Sequence, residues 1–297
     1  MAPLLTSAGA PAMAAMAAVP AGVPAGVPAA VLAEVGHPHI GGVGVAASLV
    51  LIVVAAAVSW RERLGLERSI AWAATRAAVQ LGVIGAGLGL VLADDAPLVW
   101  SILWVVAMVV IGGVTVGRRV PAVPGLTVVA TAALGGALAV SLAVVFGFGM
   151  FELEPRTLVP SAGMLLGNGI GATVLAARRT LLELDDHRAE IEVRLSLGLT
   201  GPAAVRPHVR EALRTAVTPQ IEQTKIVGLI ALPGTMTGLL LAGVDPLDAV
   251  AVQGAVMFLI LGSVAITGVV VGRGVAHRLL TPDHRLVLPP APVSPAG

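Results

Sequence analysis

Inside the long apolar runs of this chain, a few polar or polarizable side chains recur at helical spacing. Arg76 and Gln80 stand four apart, as do Met164 and Asn168, and Gln253 and Met257; Met236 and Thr237 are neighbours in a further run. Residues four apart share one face of a helix, so these runs carry polar stripes. An ionisable or amide group in hydrocarbon is costly and needs a partner or a task. Stripes facing a shared interior would line a path for a polar solute or a cation. Thioethers and amide oxygens hold a cation without trapping it, and no carboxylate lies deep in any run. The alternative task is hydrogen bonding between helices that fixes packing, worth about 0.6 kcal/mol on average. Both readings stand for Asn168 and Gln253. Arg76 lies about two turns from the end of its run, close enough for its head to snorkel into the interface.

The elements that must position these residues follow from composition. Hydrophobic residues are 57% of the 297 positions and charged residues 12%, with a mean hydropathy of +0.94. Soluble domains carry about 25% charged residues, so too few charges remain to coat a soluble globule of this length. Seven runs are long enough to cross about 30 Å of hydrocarbon: 41–60, 70–92, 97–117, 123–148, 158–177, 226–242 and 247–272. The sequence therefore predicts an all-α, polytopic membrane protein of about seven transmembrane helices.

Charge between the runs sets the orientation. Arg61, Arg63 and Arg68 follow the first run, Arg118 and Arg119 the third, and Arg273, Arg278 and Arg285 the last. The other side carries Asp94, Asp95, Glu152, Glu154, Asp245 and Asp248 against Arg156 alone. Basic residues are retained on the cytoplasmic side, which puts the N-terminus outside and the C-terminus in the cytoplasm. An acidic outer mouth would favour cations, although the same bias depletes outer bases for unrelated reasons. His37 and His39 lie near that mouth and lack a further ligand for a metal.

Residues 1–36 are low-complexity Ala, Pro, Gly and Val without a basic residue, read as a disordered tail rather than a secretory signal. Residues 37–280 form the transmembrane domain and 281–297 a cytoplasmic tail. The cytoplasmic segment 178–225 alternates leucines and isoleucine with charges, is interrupted by Pro202 and Pro207, and resumes through Val209, Leu213 and Val217. Connections between helices usually take about 2–8 residues, so this length favours a docking surface over a simple connector. Glu222 and Lys225 bracket the cytoplasmic mouth of the sixth run at i, i+3, the spacing of a local ion pair. Pro233 and Gly234 then break that run, as a packing kink or as the unwound hinge that marks transport sites.

Several classes are excluded or weakened. Without cysteine there is no disulfide or thiolate metal site. Lys225 is the only lysine and no glycine-rich loop precedes it, so the chain has no phosphate-binding loop for ATP. No nucleophile–base set is evident, which argues against an enzyme, and no basic patch interleaved with aromatics suggests nucleic acid.

Four motifs carry a resemblance. They are Thr75-Arg76 through Gln80-Leu81, the run PSAGMLLGN from Pro160 to Asn168, Glu192-x-x-Leu195-x-x-Gly198, and PQIEQTKIVGLIALPGTMTGLLLAG from Pro219 to Gly243. In this order and spacing, across about residues 45–280, the chain resembles the FetB/YbbM family of ABC transporter permeases and the plant aluminium-sensitivity permeases. The resemblance implies a permease subunit in the cell membrane, exporting iron or another metal cation, with ATP bound by a separate cytoplasmic ABC ATPase and no cofactor of its own. It also implies a homodimer of permeases. Glu192, Leu195 and Gly198 then mark the coupling segment, and Arg76, Gln80, Met164, Asn168, Met236, Thr237, Gln253 and Met257 the path. A UDP-sugar or other polar solute is the alternative cargo, and a non-transporting anchor that recruits an ATPase is the alternative class. Glu222 to Lys225 is closer to the plant members than to the bacterial ones.

Overall fold

The computed structural model describes residues 42–91, 97–228, 232–283 and 285–288. Expectations resting on residues 1–36, His37, His39, Asp94 and Asp95 lie outside these. The described residues form nine helices and no strand. In chain order these are α1 (Gly42–Arg61), α2 (Glu67–Val91), α3 (Leu98–Arg119), α4 (Leu126–Gly147), α5 (Pro155–Asp186), α6 (Arg188–Ser196), α7 (Gly201–Ile226), α8 (Gly234–Leu241) and α9 (Pro246–Leu279). Four of them, α3, α4, α5 and α9, are long and apolar enough to cross a membrane. The described residues divide into two compact units, those within 1–96 together with 234–251, and those within 97–233 together with 252–297.

In the first unit, α1 and α2 pair as a hairpin. The reversal needs left-handed backbone at Arg63 and Gly65 (φ 55° and 67°). The buried Ser59 hydroxyl ties the turn: it donates to Glu67 Oε1 at 3.1 Å and accepts from the Leu66 N–H at 3.1 Å. The basic loop is thus closed by its own side chains. The same unit holds α8 and the start of α9, where Asp245 Oδ1 accepts from the Leu247 N–H at 2.9 Å.

In the second unit, α3 packs against α4 and α5. Gly113 and Gly117 of α3 lie against Thr131 and Thr127 of α4, so close that a Cβ at either glycine would overlap a threonine hydroxyl. Small residues four apart are how membrane helices bring backbones together, since lipid supplies no hydrophobic drive between them. The Thr131 hydroxyl is not orphaned by this: its Oγ1 donates to the Thr127 carbonyl at 2.8 Å.

Length then organises the far ends of the long helices. α5 has 32 residues and α9 has 34, about 48 and 51 Å at 1.5 Å per residue, well beyond the apolar core of a bilayer. α5 starts sharply, with a Glu154–Thr157 capping box and Pro155 in the first turn, and runs unbroken to Asp186. α7 covers its far end. Ala204, Val205, His208, Val209, Ala212 and Ala216 are buried on one face of α7, while Arg206, Arg210 and Arg214 are exposed on the other. Gly272 of α9 presses on Leu213 of α7 and Thr180 of α5, and Gly268 lies against Val217. Arginines finish the neighbouring helix ends: Arg178 Nη2 donates to the Arg119 carbonyl at 3.0 Å, meeting the negative end of α3.

One expectation about the chain path changes, and the break expected in the sixth run is present. Pro207 does not interrupt α7, and neither does Pro219; both sit inside one helix of 26 residues. Each lies on the exposed side, where loss of one backbone bond can be made up by solvent rather than leaving a buried carbonyl. The sixth run, 226–242, is not one helix. α7 ends at Ile226, Gly228 takes φ 84°, Pro233 is outside any helix, and α8 has only eight residues.

Candidate functional site

The second unit gathers four of the singled-out residues on two helices. Gln253 and Met257 are buried one turn apart on α9, and the Gln253 amide oxygen has no hydrogen-bond partner although the residue is only 4% exposed. A buried, unpaired amide oxygen costs about 1–3 kcal/mol. On α5 the Asn168 amide donates to the Met164 carbonyl at 2.9 Å, one turn back, and both residues are half-buried. Asn168 is therefore quietened by its own helix, whereas Gln253 keeps a buried, free acceptor. Farther along α9, Ser263 and Thr267 are buried, with Thr267 Oγ1 donating to the Ser263 carbonyl at 2.9 Å. Buried Ser101 on α3 has an unpartnered hydroxyl too, at a position that no periodic spacing singles out.

The first unit holds the other four. Arg76 and Gln80 are exposed on α2, and on α8 Met236 is half-buried and Thr237 exposed. Gly234 opens α8, directly after Pro233.

Beyond the end of α5 the Glu192–Gly198 segment has a clear local logic. Glu192 Oε1 accepts from Arg188 Nε at 2.8 Å across one turn of α6. Leu195 is half-buried. Gly198 adopts φ 89° and ends the helix: its N–H bonds the Leu195 carbonyl at 3.0 Å and the Leu199 N–H bonds the Arg194 carbonyl at 3.2 Å. This paired stop needs a left-handed residue, which glycine supplies without strain. Thr200 and Pro202 then start α7. Glu222 and Lys225 form an exposed ion pair, Nζ to Oε1 at 2.8 Å, a weak contact in solvent.

The sequence did not single out Glu183, His187 and His208, which meet where α5 gives way to α6. Glu183 and His187 are one turn apart, a visible signal; nothing in the spacing joins His208 to them.

The family model described as "Uncharacterised protein family (UPF0014)" matches residues 43–280. The chain belongs to this family. Among its relatives, the UPF0014 membrane protein STAR2 of Oryza sativa subsp. japonica is 34% identical over 77% of this chain and 80% of its own length. The probable iron export permease protein FetB of Escherichia coli (strain K12) is 30% identical over 84% of this chain and 96% of its own. The protein ALUMINUM SENSITIVE 3 of Arabidopsis thaliana is 31% identical over 77% and 84%. No solved structure matches. The family match covers all nine helices, with Gly42 of α1 just outside it, and with four membrane-crossing helices among them this member of UPF0014 is a multi-pass membrane protein.

Proposed function

We propose that the chain is the membrane-spanning permease subunit of an ABC-type exporter, moving iron or another metal cation under the drive of a separate cytoplasmic ATPase. The observation that carries this reading is mechanical. α6 and α7 lie beyond the apolar part of α5 and pack on its end, and α7 also packs on α9, so that the pair touches both helices that carry Asn168 and Gln253. A partner gripping α6–α7 would therefore pull on both candidate path helices at once. The relative named as a probable iron export permease supports a metal as cargo.

In this reading the chain crosses the membrane seven times with its C-terminus in the cytoplasm. α1 and α2, of 20 and 25 residues, supply the first two crossings, and the broken segment before and through α8 supplies the sixth. Two copies pair with two ATPases. Gln253 and Asn168 offer amide groups to the cargo, Met164 and Met257 offer thioethers, and Arg76, Gln80, Met236 and Thr237 complete the lining. Glu192, Leu195 and Gly198 shape the surface that the ATPase grips, and Pro233-Gly234 is the hinge.

The test is iron accumulation in inside-out vesicles containing this chain and its cognate ATPase. Uptake that requires ATP, and disappears with a hydrolysis-dead ATPase, is the expected result. ATP hydrolysis without iron movement would remove iron as the cargo, and UDP-sugars would be offered to the same vesicles.

A further inference from the structure

Glu183 and His187 stand four apart at the end of α5, His187 being the residue between α5 and α6, and His208 reaches them from α7. One carboxylate oxygen and one nitrogen from each ring lie within 4.8 Å of one another. His187 Nδ1 is 3.5 Å from Glu183 Oε2, and His208 Nε2 is 3.8 Å from Glu190 Oε2. The two rings stack, centroids 4.5 Å apart. His208 is 7% exposed, and its Nε2 is buried without a hydrogen-bond partner. A buried ring nitrogen 3.8 Å from a carboxylate oxygen, with a second imidazole stacked on its ring and no hydrogen bond of its own, asks for a ligand.

We propose that Glu183, His187 and His208, with Glu190 as fourth ligand, bind one divalent first-row transition-metal ion of the zinc or ferrous class, clipping α7 to the α5–α6 junction. Donor chemistry selects the class. Two imidazoles with carboxylates suit zinc, iron and cobalt, whereas magnesium and calcium take oxygen ligands throughout. Geometry agrees with it. Ligand atoms placed tetrahedrally at about 2.1 Å from an ion are about 3.4 Å apart, near the separations of the Glu183–His187 and Glu190–His208 pairs. Within the Glu183–His187–His208 set no ligand-atom gap exceeds 4.8 Å, so these three close by at most about 1.4 Å on this estimate, and Glu190 swings in beside His208. Glu190 is already aimed, because Arg194 Nη2 holds its other oxygen, Oε1, at 2.6 Å, the kind of outer support that orients metal ligands. His187 Nδ1 exchanges its 3.0 Å contact with the Glu183 carbonyl for the ion. The site lies apart from the candidate path and does not rest on the transport reading. An ion there fixes α7, and with it the exposed arginine face of Arg206, Arg210 and Arg214, to the end of α5.

Cobalt(II) is the probe, titrated into the full-length protein in detergent and followed by its visible d–d absorption. The expected result is a saturable band at one ion per chain. It is retained in Gln253→Ala and lost in the double variant His187→Gln/His208→Gln. His208→Cys gives a second readout. The chain contains no cysteine, so a new thiolate-to-cobalt charge-transfer band in that variant can arise only at this position. No saturable band in the wild type, a band that survives the double variant, or cobalt binding by His208→Cys without the charge-transfer band would each overturn the proposal. Should the double variant fail to fold, the wild type and His208→Cys decide.

Discussion

Leu213 of α7 sits over Gly272 of α9 so tightly that a Cβ at 272 would come within 2.6 Å of the leucine Cδ2. This is where α7 meets a membrane-crossing helix, and Thr180 of α5 closes the same notch. Gly272→Leu overfills it. Overpacking of this kind costs about 1–3 kcal/mol, and here the strain is relieved by lifting α7. The expected outcome is a membrane-inserted protein whose ATP-driven transport falls at least about tenfold. Restored transport in Gly272→Leu/Leu213→Ala, which reopens the notch, would identify the contact as the cause.

The α3–α4 contact gives a sharper contrast. At Gly113 an added methyl meets the Thr131 backbone as well as its side chain, whereas at Gly136 it meets nothing within 4 Å. Gly113→Ala is expected to destabilise by about 1–3 kcal/mol. Gly136→Ala is expected to be neutral or to stabilise by up to about 1 kcal/mol through helix propensity. Thermal unfolding in one detergent compares the two, and equal melting temperatures would contradict the packing described.

Gln253 separates path from packing. Its amide oxygen is buried and unpaired, so replacing it by an apolar group of similar shape removes a desolvation cost. Gln253→Met is expected to leave stability unchanged or raise it by about 1 kcal/mol, while transport is lost. If the variant transports normally, Gln253 only fills space.

His208 predicts a pH dependence for the metal-free protein. Its pKa is lowered first by burial and then by repulsion from His187 and Arg194, against the pull of Glu190 and Glu183. Below an unfolded value of about 6.5, the unfolded chain takes up a proton that the folded chain resists. Stability from this group is present above that pH and declines as pH falls towards the lowered folded value. The melting temperature should drop between pH 7.5 and 5.5, and the drop should shrink in His208→Gln. An unchanged pH profile in that variant would assign the acid sensitivity elsewhere.

The membrane-crossing helices were legible because lipid forces a long apolar run on any helix that crosses it, and α3, α4, α5 and α9 follow the expected runs within several residues on their apolar parts. The continuation of α5 to Asp186 was less so, since no apolar run demands it. Pro207 misled because a proline breaks a helix by default, and only its place on the exposed face shows why α7 tolerates it. In the candidate site, Gln253 was visible as an amide in an apolar run, but its missing partner is a property of packing. The meeting of His208 with Glu183 and His187 was hidden altogether: it depends on α7 folding back along α5, which no spacing encodes.

Past Pro160, α5 contains no proline and no break up to Asp186. Asn168 and Asp186 are thus about 27 Å apart on one rod. A tilt of about 10° pivoting at Asn168 sweeps the Asp186 tip through about 5 Å on that length. Read from the other end, a stroke of a few ångströms delivered to α6 and α7 reaches the membrane interior as a small turn, so the helix works as a reducing gear: coarse force outside, fine adjustment within.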